Sequence, residues 1–186
     1  MNARAAALLA CALALAGQAA AVHAQTAAGA AAGLATELAA PVLNGQGGYR
    51  WFGFKLYDAR LWREGGVALS EWRTGRFALE LCYARALEGK RIAQVSADEI
   101  ERLGAGTDIQ RRQWLERMRV LFPDVVAGNC IAGVHVPGRG ARFLLDGKVL
   151  GEVADAAFAQ AFFGIWLAPG TRAPELRAAL LGAQTK

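Results

Sequence analysis

The sequence predicts an α+β domain with a largely antiparallel sheet. Three observations carry this. Strand-like runs come in two separate blocks, capped helix-period segments follow each block, and an Asp-Gly dipeptide joins two strands of the later block. In chain order, residues 43–48 read as a strand ending in a turn, since Asn44-Gly45 and Gly47-Gly48 punctuate it. Residues 49–62 are long and aromatic with Gly53 inside, which reads as a strand pair or one strand bent at Gly53. Residues 76–85 alternate, with Phe77, Leu79, Leu81 and Tyr83 on one face and Ala78, Glu80, Cys82 and Ala84 on the other, the pattern of a half-buried strand.

The period then changes. Ser96-Ala97-Asp98-Glu99 fits a capping box, with Val95 and Ile100 as its hydrophobic staple, and Thr107-Asp108-Ile109-Gln110 fits a second one. In the helix that follows, Trp114, Leu115, Met118, Leu121 and Phe122 form one apolar stripe, which reads as core rather than a ligand box, and Pro123-Asp124 ends it. Strands return at 130–136 and 141–145 around the loop Pro137-Gly138-Arg139-Gly140. Asp146-Gly147 then makes a type I′ turn into 149–153. Asp155 caps a helix over 156–163, and Pro174 opens a last helix that Gly182 stops.

Residues 1–24 have an early cation, an apolar run over 5–17 and a small-residue end, which predicts a secretory signal peptide cleaved after Ala24. A membrane anchor needs about 20 apolar residues with different flanks. The Leu8-Leu9-Ala10-Cys11 run comes too early in the segment for a lipidation box. Residues 25–36 read as a flexible Ala/Gly/Thr spacer, leaving one domain over 37–183. With Arg4 gone from the 21 basic residues, 20 face 16 acidic ones, spread without the basic stripe that nucleic acid demands. The expected compartment is the periplasm or the exterior, with no transmembrane anchor in the mature chain and no nucleic-acid partner. Cys82 and Cys130 then remain, either as a disulfide or as two small buried residues on separate strands. No metal spacing exists, no cofactor is expected, and His135 sits in a strand-like run as a structural residue.

The runs "LNGQGGYRWFGFKLYDARLW", "LEGKRIAQVSADEIERLG", "GVHVPGRGARFLLDGKVLGEV" and "FFGIWLAPGTRAPELRAALLG" together resemble, in order and spacing, the chalcone isomerase-like family over most of 43–182. The resemblance implies an open-faced β-sandwich, a curved antiparallel sheet with helices over one face and a ligand cleft between. The family holds true chalcone isomerases, relatives that bind fatty acids through an arginine and a tyrosine, and exported bacterial members. Arg50 resembles the enzymes' arginine after the Gly-rich turn, although an ungapped match puts Tyr49 there. Tyr57 stands where the enzymes keep a threonine and the fatty-acid-binding relatives a tyrosine. Ile92, Glu99 and Ile165 fall on an enzyme tyrosine, asparagine and threonine or serine.

Cyclising a chalcone needs hydroxyl donors around a bound water, which Ile92 and Ile165 lack. One arginine and one tyrosine in an otherwise apolar cleft suit a carboxylate with an apolar tail. The expected ligand is therefore a fatty acid or similar carboxylate, its head held by Arg50, Tyr57 and Tyr49, with no catalytic residues. Arg50 and Tyr57 have opposite strand parity, so they share a pocket only across a bend near Gly53; Lys55, Arg60 and Arg63 are expected outside. Two alternatives stand beside this: an intramolecular lyase of chalcone isomerase type, and a periplasmic protein-interaction module, which predicts a filled sheet–helix gap and an exposed apolar patch.

Overall fold

The computed structural model describes residues 33–66, 69 and 71–182; the segment read as a signal peptide, with Cys11, and residues 25–32 of the expected spacer lie outside the described residues. Strands β1 (Val42–Trp51), β2 (Phe54–Arg63) and β3 (Phe77–Tyr83) precede helices α1 (Gly89–Arg102) and α2 (Asp108–Leu121). Strands β4 (Cys130–Val136), β5 (Gly140–Leu145) and β6 (Lys148–Val153) follow, then α3 (Ala156–Leu167) and α4 (Pro174–Leu180). The six strands make one sheet in chain order, each antiparallel to the next. Bulges in the β1–β2 and β5–β6 ladders help curve this sheet, since a bulge bends its strand. The α+β class and the open-faced sandwich stand.

The helix-facing side holds the main core. Phe77, Leu79, Leu81, Ile131 and Phe143 of the sheet meet Ile100, Met118, Phe158, Phe163, Leu167 and Leu180. Each such side chain contributes about 1.5–3 kcal/mol on burial. Two of the caps form as their sequences require. Thr107 and Gln110 close a reciprocal box on α2, and Asp155 accepts the amides of Ala157 and Phe158 at 2.8 and 3.1 Å. The same carboxylate takes the indole N–H of Trp114 at 2.8 Å, which ties α2 to α3.

The opposite sheet face is covered as well. Leu34 and Leu38 lie on Trp62, Ala78, Ala132, Val134 and Leu144 in a second apolar cluster. Glu37, buried there, receives Arg76 and Arg142. The spacer read over 25–36 is therefore too long, because Leu34 is already core. For the same reason β3 is buried on both faces rather than half-buried. An alternating pattern shows two faces; it does not show that a segment 40 residues upstream covers the polar-looking one.

Two local readings are overturned. Ser96 does not cap a helix: α1 begins seven residues earlier, and Ser96 Oγ donates to the Ile92 carbonyl at 2.9 Å in mid-helix. Asp124 serves the helix start instead, accepting the Gly89 amide at 2.8 Å from across the fold. The Asn44-Gly45 and Gly47-Gly48 pairs mark no turn but lie within β1. A methyl on Gly45 would stand 2.0 Å from the Ala179 carbonyl, and one on Gly47 2.8 Å from Leu176 Cδ1. These glycines let α4 press onto the edge strand.

Candidate functional site

Antiparallel pairing puts Tyr49, Tyr57 and Tyr83 in one row across β1, β2 and β3. Residues paired across a ladder share a face, and this row faces the helices. The Tyr49 and Tyr57 rings stack at 5.2 Å, and Tyr83 meets Tyr57 edge-on at 6.2 Å. From α3, the Trp166 indole donates to the Tyr57 hydroxyl at 3.0 Å. Tyr57 thus keeps its own proton to give, and among the described residues the hydroxyls of Tyr49 and Tyr83 meet no hydrogen-bond partner.

Burial pushes the Tyr57 and Tyr83 phenols well above the ordinary tyrosine range; the Trp166 bond offsets this only in part at Tyr57. Tyr49 is also raised, first by burial and then by the Glu99 carboxylate, against the pull of the Arg172 guanidinium. All three are neutral donors at physiological pH. Glu99 projects from α1 and receives Arg102 Nε at 2.8 Å and Arg172 Nε at 3.2 Å. Arg102 also donates to the Gly170 carbonyl at 3.0 Å, fixing the α3–α4 connection that carries Arg172. The result is a rim with three phenols, one carboxylate and two guanidinium groups. Behind it the rings of Phe77, Phe143, Phe158, Phe162, Phe163 and Trp166 pack edge to face.

Of the expected head-group residues, Tyr49 and Tyr57 come together and Arg50 does not join them. The bend near Gly53 is a two-residue hairpin turn that pairs Arg50 with Lys55, and Lys55 meets Asp58 on the far face of the sheet. Arg50 is exposed and donates to the Gly53 carbonyl at 3.0 Å. A regular two-residue hairpin would have put Arg50 and Tyr57 on one face; the bulge that leaves Leu56 unpaired between Lys55 and Tyr57 turns them to opposite faces. Arg60 pairs with Glu80 at 3.2 Å, and Arg63 donates to the Glu64 carbonyl. Ile92 and Ile165 pack against the main core. Glu99, read as half of a capping box, is instead the anion of the rim.

The sulfurs of Cys82 and Cys130 are bonded across directly paired positions of β3 and β4. A Glu80 carboxylate oxygen lies within 4.8 Å of both. The donor set does not suit a metal, since both thiols are spent in the disulfide and Arg60 takes the carboxylate. His135 is buried, its Nδ1 2.6 Å from the Gly75 carbonyl, which makes it structural. Sequence reasoning missed Trp166, Tyr83 and Arg172. Trp166 had a signal, because an indole N–H in an apolar helix needs a buried acceptor. Arg172 had none: one cation in a loop says nothing of the carboxylate 73 positions upstream.

Comparison with known proteins agrees with this architecture. The chain is similar to a fatty-acid binding protein of Arabidopsis thaliana, whose crystal structure superposes with a TM-score of 0.59 at 13% identity, over 76% of this chain and 86% of that one. It is 36% identical over 142 residues to an uncharacterized protein of Haemophilus influenzae, a match that spans 76% of this chain and 67% of the relative. The chalcone isomerase-like family model matches residues 25–182, and the chain belongs to that family.

Proposed function

We propose that the protein is exported and binds a fatty acid or similar apolar carboxylate at the Tyr49–Tyr57 rim between sheet and helices, without isomerase chemistry. One observation carries the reading. Tyr57 accepts from Trp166 and so has its own O–H to give, stacked beside Tyr49, which lies within the field of Arg172. Two phenols and a guanidinium are a suitable donor set for a carboxylate. In this reading Arg172 takes the role that the resemblance implied for Arg50, and it also offsets the Glu99 charge that would repel an anion. Ile92 and Ile165, half-buried in the core, offer a tail apolar surface and a chalcone no hydroxyl. The fold is shared with a protein described as fatty-acid binding, which is consistent with this reading.

Calorimetric titration with fatty acids of graded chain length tests it. Arg172→Ala should weaken binding about tenfold to a hundredfold, as loss of a charge-assisted bond predicts. Tyr57→Phe should cost about 1 kcal/mol of binding, and Arg50→Ala and Arg63→Ala should do little. If no chain length binds, or if Arg172→Ala behaves like Arg63→Ala, the reading fails. Turnover of a chalcone well above the spontaneous rate would overturn its non-catalytic part. Export is tested separately, by N-terminal sequencing of the periplasmic protein, which should begin at Gln25.

A further inference from the structure

The tip of the β1–β2 hairpin exposes three aromatic side chains that the Tyr49–Tyr57 rim does not use. Trp51 is 48% exposed, Phe52 84% and Phe54 67%. Trp51 and Phe52 touch each other edge-on at 5.0 Å. The turn itself is costly. Phe52 sits at φ +47° and Gly53 at φ +81°, the two positive values of a type I′ turn. Asn, Asp or Gly is the usual first residue there, because a bulky side chain crowds its own backbone at positive φ. A phenylalanine that is strained and this exposed gains little from packing within the chain beyond its edge contact with Trp51. An outlier of this kind points to a use outside the fold.

The surroundings identify what covers it. Arg50 and Lys55 flank the tip on β1 and β2. The Ala84 amide donates to the Leu56 carbonyl, so the exposed Arg85 lies beside the base of the hairpin. The carboxylate of Asp58 is paired with Lys55. An aromatic wedge with a cationic collar fits the boundary of an anionic bilayer, where ring side chains settle at the headgroup level and cations meet phosphates. A protein groove would accept the rings without needing the collar.

We propose that this hairpin tip docks the protein onto an anionic lipid surface, with Trp51, Phe52 and Phe54 entering the interface and Arg50, Lys55 and Arg85 on the headgroups. Nothing in this depends on the carboxylate-binding reading, since the tip and Tyr57 belong to different surfaces. The test is co-flotation of residues 25–186, which hold every described element and omit the apolar leader, with lipid vesicles. Equimolar phosphatidylglycerol and phosphatidylcholine vesicles should carry the protein up, pure phosphatidylcholine should carry much less, and high salt should release it. Each of Phe52→Ser and Phe54→Ser should weaken partitioning about tenfold. Arg50→Gln or Lys55→Gln should weaken it about fivefold on the anionic vesicles alone. Phe52→Asn guards against misfolding, because that backbone position favours asparagine: it should melt no lower than the parent and still lose binding. Protein that stays in the buffer with anionic vesicles, or tip variants that float as well as the parent, would overturn the proposal. So would a dimer in sedimentation that the tip variants abolish, because a second copy would then be the partner.

Discussion

Tyr57 shows how much one hydroxyl does here. It accepts the only hydrogen bond found for the Trp166 indole among the described residues, and it stands between the Tyr49 and Tyr83 rings. Tyr57→Phe keeps the ring packing and strands a buried N–H, so it should destabilise the fold by about 1–3 kcal/mol. Urea unfolding would read this as a lower midpoint with an unchanged slope. His135 carries a pH dependence. Burial lowers its pKa below the ordinary 6.5, with the Gly75 carbonyl working against that shift. The unfolded chain therefore takes up the proton first, and stability should fall as pH drops below about 6.5. The same pH series on His135→Gln should lose this component.

At the scale of elements, the edge strand β1 depends on having no side chain at Gly45. Its Cβ position is 2.0 Å from a backbone oxygen of α4, and backbone cannot swing aside. Gly45→Ala should therefore cost about 1–3 kcal/mol or more, as overpacking does, and loosen α4 first. Hydrogen exchange over Pro174–Leu180 would show that loosening as lost protection. The hairpin turn behaves in the opposite way. Phe52→Asn relieves a positive-φ penalty on the order of 1 kcal/mol and should raise the melting temperature. A stabilising change at the proposed docking tip is the trade expected where local stability is given up for use.

Across the whole molecule, the Cys82–Cys130 bond closes a loop of 48 positions containing α1 and α2. The chain-entropy model assigns such a closure about 4 kcal/mol. Reduction should lower stability by up to that amount, read as a shift of the denaturation midpoint with and without dithiothreitol. The loss concerns more than the sheet. Both helices lie within the closed loop, and α1 supplies Glu99 to the rim, so on the proposed function reduction should also weaken binding of a carboxylate.

The sequence by itself determined the element order, the Thr107 and Asp155 caps and the Asp146-Gly147 turn. Those signals lie within a few residues of what they specify, and local sterics and hydrogen bonds suffice. It also carried the family, since four runs kept their order and spacing. Only the tertiary structure decided the rest. The true start of α1 depends on Asp124, 35 positions beyond Gly89. The glycines of β1 read as turns until α4 arrives above them. Arg50 faces away from Tyr57 because a bulge at Leu56 shifts the register behind the Phe52-Gly53 hairpin, while Arg172 reached Glu99 through the packing of two helices that are distant in sequence. Local energies set what a segment is; which side chains share a rim depends on contacts that close long loops, and no short window of sequence contains them.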